Sequence, residues 1–162
     1  MSNVHAYDQR RLATFRLGET TYAVEITLIQ EIIDIPVIRP IPRAPFYLEG
    51  IFNLRKTIIP IIDFRKLLGL DAGEKETAKV IIVSVRKQEI GFIVDEVAQV
   101  ITISKHDILP PPPVLLQGLD PESMGGIFCL EEDENTILLN LDRILSPQEV
   151  AKLAQATTQA PQ

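Results

Sequence analysis

The two halves of this 162-residue chain repeat one another. Tyr22-Ala23-Val24-Glu25-Ile26 lies over Ile90-Gly91-Phe92-Ile93-Val94 at an offset of 68 residues, and Phe46-Tyr47-Leu48-Glu49-Gly50 lies over Val114-Leu115-Leu116-Gln117-Gly118 at the same offset. The prolines at 42 and 45 fall on those at 110 and 113. Further on the offset grows to 76, where Gly50-Ile51-Phe52-Asn53-Leu54 meets Gly126-Ile127-Phe128-Cys129-Leu130, and Thr57-Ile58-Ile59 and Asp63 recur as Thr136-Ile137-Leu138 and Asp142. A repeat of this length is one supersecondary unit used twice. The unit consists of short apolar runs separated by Gly and Pro, with little helical periodicity, so two β units of about five strands each are expected. Small barrels packed together fit better than one open sheet, which would leave long edges exposed.

Along the chain, residues 1–10 are polar and aperiodic, a flexible lead-in with order beginning at Leu12. Runs at 12–17 and 21–26 flank Gly18-Glu19-Thr20 as a hairpin, and 26–33 predicts one helical turn followed by a strand. Prolines 36, 40, 42 and 45 then bar regular structure. Gly50-Ile51-Phe52-Asn53-Leu54 and Thr57 to Ile62 form a second hairpin around a cationic corner, Arg55-Lys56. Asp63 to Gly69 has the signature of a short capped helical turn. Residues 71–78 read as a charged, mobile connection; 79–85 and 89–94 as a hairpin across Arg86-Lys87-Gln88; and 97–103 as a strand. Pro110 to Pro113 form a stiff spacer rather than a docking motif, given apolar Leu109 and Val114 on either side. The last hairpin joins 126–130 to 136–141 through acidic residues 131–135. Ser146-Pro147-Gln148-Glu149 then opens a helix to about Gln155 with a capping-box pattern. One domain over 11–153 is expected, its halves spanning about 11–70 and 79–145 with a terminal strand open to exchange, and loose tails at 1–10 and 156–162.

Composition narrows the function. With 46% hydrophobic and 23% charged residues the chain is no disordered tail, and no run approaches the roughly 20 apolar residues that span a bilayer. The N-terminal residues have no apolar signal segment, so a cytoplasmic protein without membrane insertion is expected. One cysteine and two distant histidines argue against a metal site, and a net charge of −6 argues against nucleic acid as partner. There is no G-x-S-x-G and no phosphate-binding glycine loop. His106 stands alone in a polar loop, Cys129 sits within an apolar run as a buried, inert thiol, and Asp63 and Asp95 each end a strand as caps. No enzymatic activity and no cofactor are expected. A small-ligand-binding β-barrel is the alternative, and it would need a polar-lined cavity where the pattern here suggests filled aliphatic core.

Charge separates the copies. Residues 39–66 hold six basic side chains against two acidic ones, whereas residues 117–142 hold seven acidic and none basic. Such a split suits a protein that engages more than one partner. The apolar positions and glycines kept in both copies are scaffold; Arg55, which falls opposite Glu131, is particular to the first.

The order Phe15-Arg16-Leu17-Gly18, Tyr22 to Ile26, Ile29-Gln30-Glu31-Ile32, Gly50 to Arg55, Ile58 to Asp63 and Gly91 to Asp95 resembles the CheW family, the scaffolds that couple bacterial chemoreceptors to the histidine kinase CheA. The resemblance covers about residues 11–153. It implies two interlocked five-stranded SH3-like barrels, and partner surfaces for the regulatory domain of CheA and for the cytoplasmic tip of methyl-accepting chemoreceptors, so that the protein associates with membrane arrays through its partners. It also implies a partner-binding corner of Asn53, Leu54 and Arg55 with Ile29, Glu31 and Gly50 as companions. Related units occur within larger proteins, CheA and CheV, and a standalone adaptor is the form expected here. The family usually has Gly after that Arg, and this chain has Lys56. A tight turn there requires φ > 0, borne by Lys56 or else by Asn53.

Overall fold

β-Branched and aliphatic runs too short for helices set the architecture, and the computed structural model describes it over residues 9–70, 76–112, 123–131 and 134–159. Residues 1–8, 71–75, 113–122, 132–133 and 160–162 lie outside the described residues. With them go most of the predicted lead-in, part of the predicted connection, the repeat match at 114–118 and the middle of the acidic turn. Among the described residues ten strands form: β1 (Gln9–Leu17), β2 (Thr20–Glu25), β3 (Ile29–Asp34), β4 (Leu48–Leu54), β5 (Thr57–Asp63), β6 (Lys79–Val85), β7 (Gln88–Val94), β8 (Glu96–Ser104), β9 (Met124–Glu131) and β10 (Glu134–Leu139). Three helices accompany them: α1 (Phe64–Leu67), α2 (Leu141–Ile144) and α3 (Pro147–Gln159). The predicted turn before β3 is a 3₁₀ turn at Ile26–Leu28. The first strand takes in Gln9 to Arg11, ahead of the expected start at Leu12: Arg10 pairs with Glu25 at 2.8 Å and β1 runs along β8 from its first residue.

The strands are shared out across the repeat boundary. The first sheet has the order β8-β1-β2-β10-β9 and the second β3-β6-β7-β5-β4. Each sheet therefore joins the opening hairpin of one half to the last three strands of the other, an exchange of two strands where the sequence suggested at most one. Each hairpin is joined on both sides: by a short parallel ladder, Ile61, Ile62 and Asp63 against Gly91, Phe92 and Ile93 in one sheet and Thr136 to Leu138 against Thr21 to Ala23 in the other, and by an antiparallel one, β3 on β6 and β8 on β1. Neither sheet closes through a continuous ladder. The segment after β3 instead lays one bridge on β4 (Arg39 with Ile51, 2.8 and 2.9 Å), and the segment after β8 lays the equivalent one on β9 (Leu109 with Ile127). Gly50 permits the first: at φ +150 it lies so close that a Cβ would meet the Arg39 carbonyl oxygen at 2.1 Å.

This pairing corrects the repeat. β9 follows β4 at offset 76, yet β10 follows β5 at 77: Phe52 faces Ile59 as Phe128 faces Thr136. The Thr-Ile identity misled the alignment, for Thr136 takes the core position of Ile59, and Asn140, not Asp142, takes that of Asp63. Asp63 does cap α1, accepting from the Arg65 amide, and Asn140 caps α2 in the same way. The strand expected to reach Leu141 stops at Leu139, and Leu141 opens α2 instead. Asp95 is not a helix cap; its carboxylate accepts the Gly18 amide at 2.6 Å.

The main core lies between the sheets. Tyr22, Phe15, Phe64 and Phe92 form a file of contacting rings from first sheet to second, at centroid distances of 6.1, 5.7 and 4.6 Å. Burying each phenylalanine contributes roughly 1.5–3 kcal/mol. α3 covers one end with Val150 and Leu153. Its capping box is formed: the Ser146 amide donates to Glu149 at 2.9 Å and the Glu149 amide to Ser146 Oγ at 3.1 Å. The helix runs to Gln159, beyond the expected end at Gln155 and into the predicted tail.

The other Glu149 oxygen accepts from the Tyr47 hydroxyl at 3.1 Å, docking α3 on the loop before β4. Burial, then the Glu149 charge and hydrogen bond, push the Tyr47 pKa from 10.0 up to about 12. Tyr47 ionises in the unfolded chain before it does so in the fold, so the stability it contributes is intact below pH 10 and lost as pH rises through about 12. Urea midpoints measured across that window should fall, and more shallowly in Tyr47→Phe.

Candidate functional site: the β4–β5 corner

The corner is a two-residue hairpin. β4 and β5 pair from Leu48–Ile62 through Asn53–Ile58 to Leu54–Thr57, leaving Arg55 and Lys56 as the turn, at φ 48° and 72°. Positive φ at both central residues is the type I′ geometry whose twist matches the strands it joins. The alternative carrier, Asn53, is regular strand. Arg86 and Lys87, with φ 51° and 70°, close β6–β7 in the same way, so the chain uses one dipeptide for two tight turns; β7 accordingly starts at Gln88.

Arg55 projects with about three quarters of its side chain exposed, and its guanidinium grips Glu31 through two hydrogen bonds of 3.0 Å each. Glu31 lies on β3, the opposite edge of the same sheet, so this fork spans the gap that the backbone ladder leaves open. The hydrogen bonds and charge of Glu31 raise the Arg55 pKa further. A bidentate pair fixes direction as well as distance, although at this exposure it adds little stability.

Asn53, Leu54, Arg55, Lys56 and Glu31 thus gather at one corner. Asn53 is exposed, and Leu54 is half-buried against the small core cluster of Ile59, Ile61, Val80, Ile82 and Ile93. Ile29 shares β3 with Glu31 but packs on the main core, and Gly50 is buried beneath the Arg39 bridge. Both support the corner from within. Val37, Arg39, Phe52 and Ile58, which the sequence did not single out, line a groove of about 680 Å³ with Ile51, Asn53 and Lys56. Pro36 and Pro40 were the available signal, since they hold Val37 to Arg39 extended alongside β4. Val37 is 90% exposed.

The second copy carries a corresponding groove of about 450 Å³, in which Asp107, Leu109, Cys129 and Asn135 replace Val37, Arg39, Asn53 and Ile58. The first groove thus presents cations, and the described lining of the second has none. Among the described residues no group of His, Cys, Asp and Glu is placed to hold a metal ion. Cys129 is exposed, not buried, its thiol 3.2 Å from Asn135 Oδ1.

A family model for the CheW-like domain matches residues 11–149. The chain belongs to the CheW-like family. Chemotaxis protein CheW of Treponema pallidum is 37% identical over 152 residues, covering 91% of this chain and 88% of that protein. Chemotaxis protein CheW of Rhizobium meliloti is 33% identical, covering 86% and 90%. Among solved structures, the scaffolding protein CheW of Thermoanaerobacter tengcongensis superposes with a TM-score of 0.76 at 35% identity, covering 85% of this chain and 92% of its own. These family relatives lend no support to the small-ligand barrel, and the interior positions that such a ligand would need are filled by Ile59, Ile61, Ile62, Ile82 and Ile90.

Lys56, at φ 72°, carries a backbone conformation that costs an L-residue about 1 kcal/mol relative to glycine. Lys56→Gly should therefore stabilise the fold by about that amount in urea unfolding.

Proposed function

We propose that this protein is a non-enzymatic adaptor of a chemotaxis signalling array, holding the regulatory domain of the kinase CheA and the cytoplasmic tip of chemoreceptors in fixed geometry. Membership of the CheW-like family supports the reading most directly. On this reading the protein works in the cytoplasm and reaches the membrane through its partners; no helix among the described residues is long and apolar enough to cross one. It transmits a receptor state through rigid contacts, which needs no nucleophile, base or cofactor.

The receptor-facing residues are Arg55, Asn53, Leu54 and Lys56, with Glu31, Ile29 and Gly50 holding them in place. Supporting this are the two-pronged grip of Glu31 on an otherwise exposed Arg55 and the adjoining apolar groove, a combination of directed charge and uncovered apolar surface suited to a protein partner. Arg55→Glu sets two carboxylates against each other at the corner without touching the core. In co-sedimentation with receptor arrays and kinase, it should reduce receptor control of the kinase several-fold, on the order of the 1–3 kcal/mol typical of site-to-site coupling. Circular dichroism and the cooperative melt should stay those of the parent. Unchanged kinase control would remove Arg55 from the interface.

A further inference from the structure

One set of ionised side chains among the described residues is buried rather than superficial: Asp63, Arg65 and Asp95, each less than a tenth exposed. Arg65 sends Nη2 to Asp63 and Nη1 to Asp95, both at 3.0 Å, and its Nε also donates to Asp63 at 3.0 Å. Asp95 continues the chain of contacts: its second oxygen accepts the Gly18 amide at 2.6 Å, and its own amide donates to the Arg16 carbonyl at 3.0 Å. Asp63 ends β5, Arg65 lies in the α1 turn after it and Asp95 follows β7, whereas Arg16 and Gly18 belong to the β1–β2 hairpin. The network therefore crosses from the second sheet to the first.

The repeat supplies an internal control. Strand pairing puts Asn140 in the place of Asp63 and Asp142 in the place of Arg65, and the offset of 68 puts Thr27 in the place of Asp95. There the helical turn is capped without a buried charge, the Asp142 amide donating to Asn140 Oδ1 at 3.2 Å. The facing turn is held by one exposed bond, Arg86 Nη2 to the Asp142 carbonyl at 3.0 Å. Neither the strands nor the cap of this unit require the ions.

Stability does not account for them either. Two carboxylates on one guanidinium leave excess buried charge, and desolvating such ions costs several kcal/mol each. What ions add that the aromatic file does not is direction. Stacked rings tolerate small slides, whereas a planar guanidinium shared by carboxylates on two strand ends accepts one arrangement.

We infer that the Asp63–Arg65–Asp95 network is the joint that fixes the orientation of one sheet relative to the other. Arg65 and Asp95 are thereby positioning residues for coupling between a partner at the β4–β5 corner and one held elsewhere on the protein; this second clause rests on the function proposed above.

Two nitroxides read the joint in the full chain, one on Cys129 in the first sheet and one on Lys87→Cys in the second. Pulsed dipolar spectroscopy should give a single narrow distance in the parent. The triple variant Asp63→Asn/Arg65→Gln/Asp95→Asn, which keeps an Asn cap like that at Asn140, should give a broadened or shifted distribution with the same circular dichroism. The parent distance and width in the triple variant would overturn the joint. Should that variant not fold, Arg65→Lys keeps the buried cation but loses the fork; broadening there supports the joint, and an unchanged narrow distance overturns it. In a second arm, a receptor-tip fragment and a kinase regulatory domain are titrated separately and together. Each should bind the folded variant about as it binds the parent, with the effect of one on the other lost. Equal coupling in parent and variant overturns the positioning role. A parent that binds neither fragment contradicts the adaptor reading instead, and leaves the spectroscopic result standing.

Discussion

Two three-residue parallel ladders hold the architecture together, β5 against β7 and β10 against β2. Every other ladder is antiparallel; with two of those, β1 on β8 and β3 on β6, the parallel pair knits the first half of the chain into the second. Because each sheet is assembled from both halves, the apolar face of the β1–β2 hairpin is covered only when β9 and β10 have arrived, and that of β6–β7 only when β3 to β5 have. Loop closure over such separations is unfavourable until the non-local contacts form, which favours folding as one cooperative unit. Phe15, Phe64 and Phe92 in contact across the sheets put the largest buried side chains at that shared boundary.

Rigidity of this kind suits an adaptor. The corner at Arg55 is anchored twice within one sheet, by the β4–β5 ladder and by the fork to Glu31 on the opposite edge. On the inference above, that sheet is then referred to the other through Asp95, which Arg65 holds and which bonds Arg16 and Gly18 of the first sheet's hairpin. Displacing the corner would mean breaking directed hydrogen bonds rather than sliding apolar surfaces, so a contact made at one face is carried to the next with little loss. The duplication supplied two equivalent grooves, and divergence gave them different charge: Arg39 and Lys56 border one, Asp107 the other.

Much of this was legible in the residues. Alternation and turn chemistry located the hairpins, the 3₁₀ turn before β3, the Asp63 cap and the Ser146–Glu149 box, since each is determined within a few residues. The exchange of hairpins was not legible, because parallel pairing between Ile61 and Gly91 leaves no local mark. The shift of offset from 76 to 77 was hidden by a coincidental Thr-Ile match, and α2 by an apolar run that looked like continuing strand. The resemblance to the family, not spacing, put Glu31 beside the corner; only the fold shows the edges of the sheet brought together by its pair with Arg55. Arg-Lys carries no turn signal, so the I′ geometry at 55–56 and 86–87 is imposed by the strands on either side. Arg65 carries no local sign of burial, because a cation next to a capping aspartate in a short helical turn looks solvated until the second aspartate, Asp95, is brought against it.

Native-state hydrogen exchange across β2, β5, β7 and β10 tests the interlocked fold most directly. With strands shared between sheets, the slowest amides of all four should exchange through one global opening, with a common free energy and a common dependence on denaturant. Exchange of β1 to β5 through a separate, less costly opening, while β6 to β10 stay protected, would mean that the halves are independent units and would contradict the account.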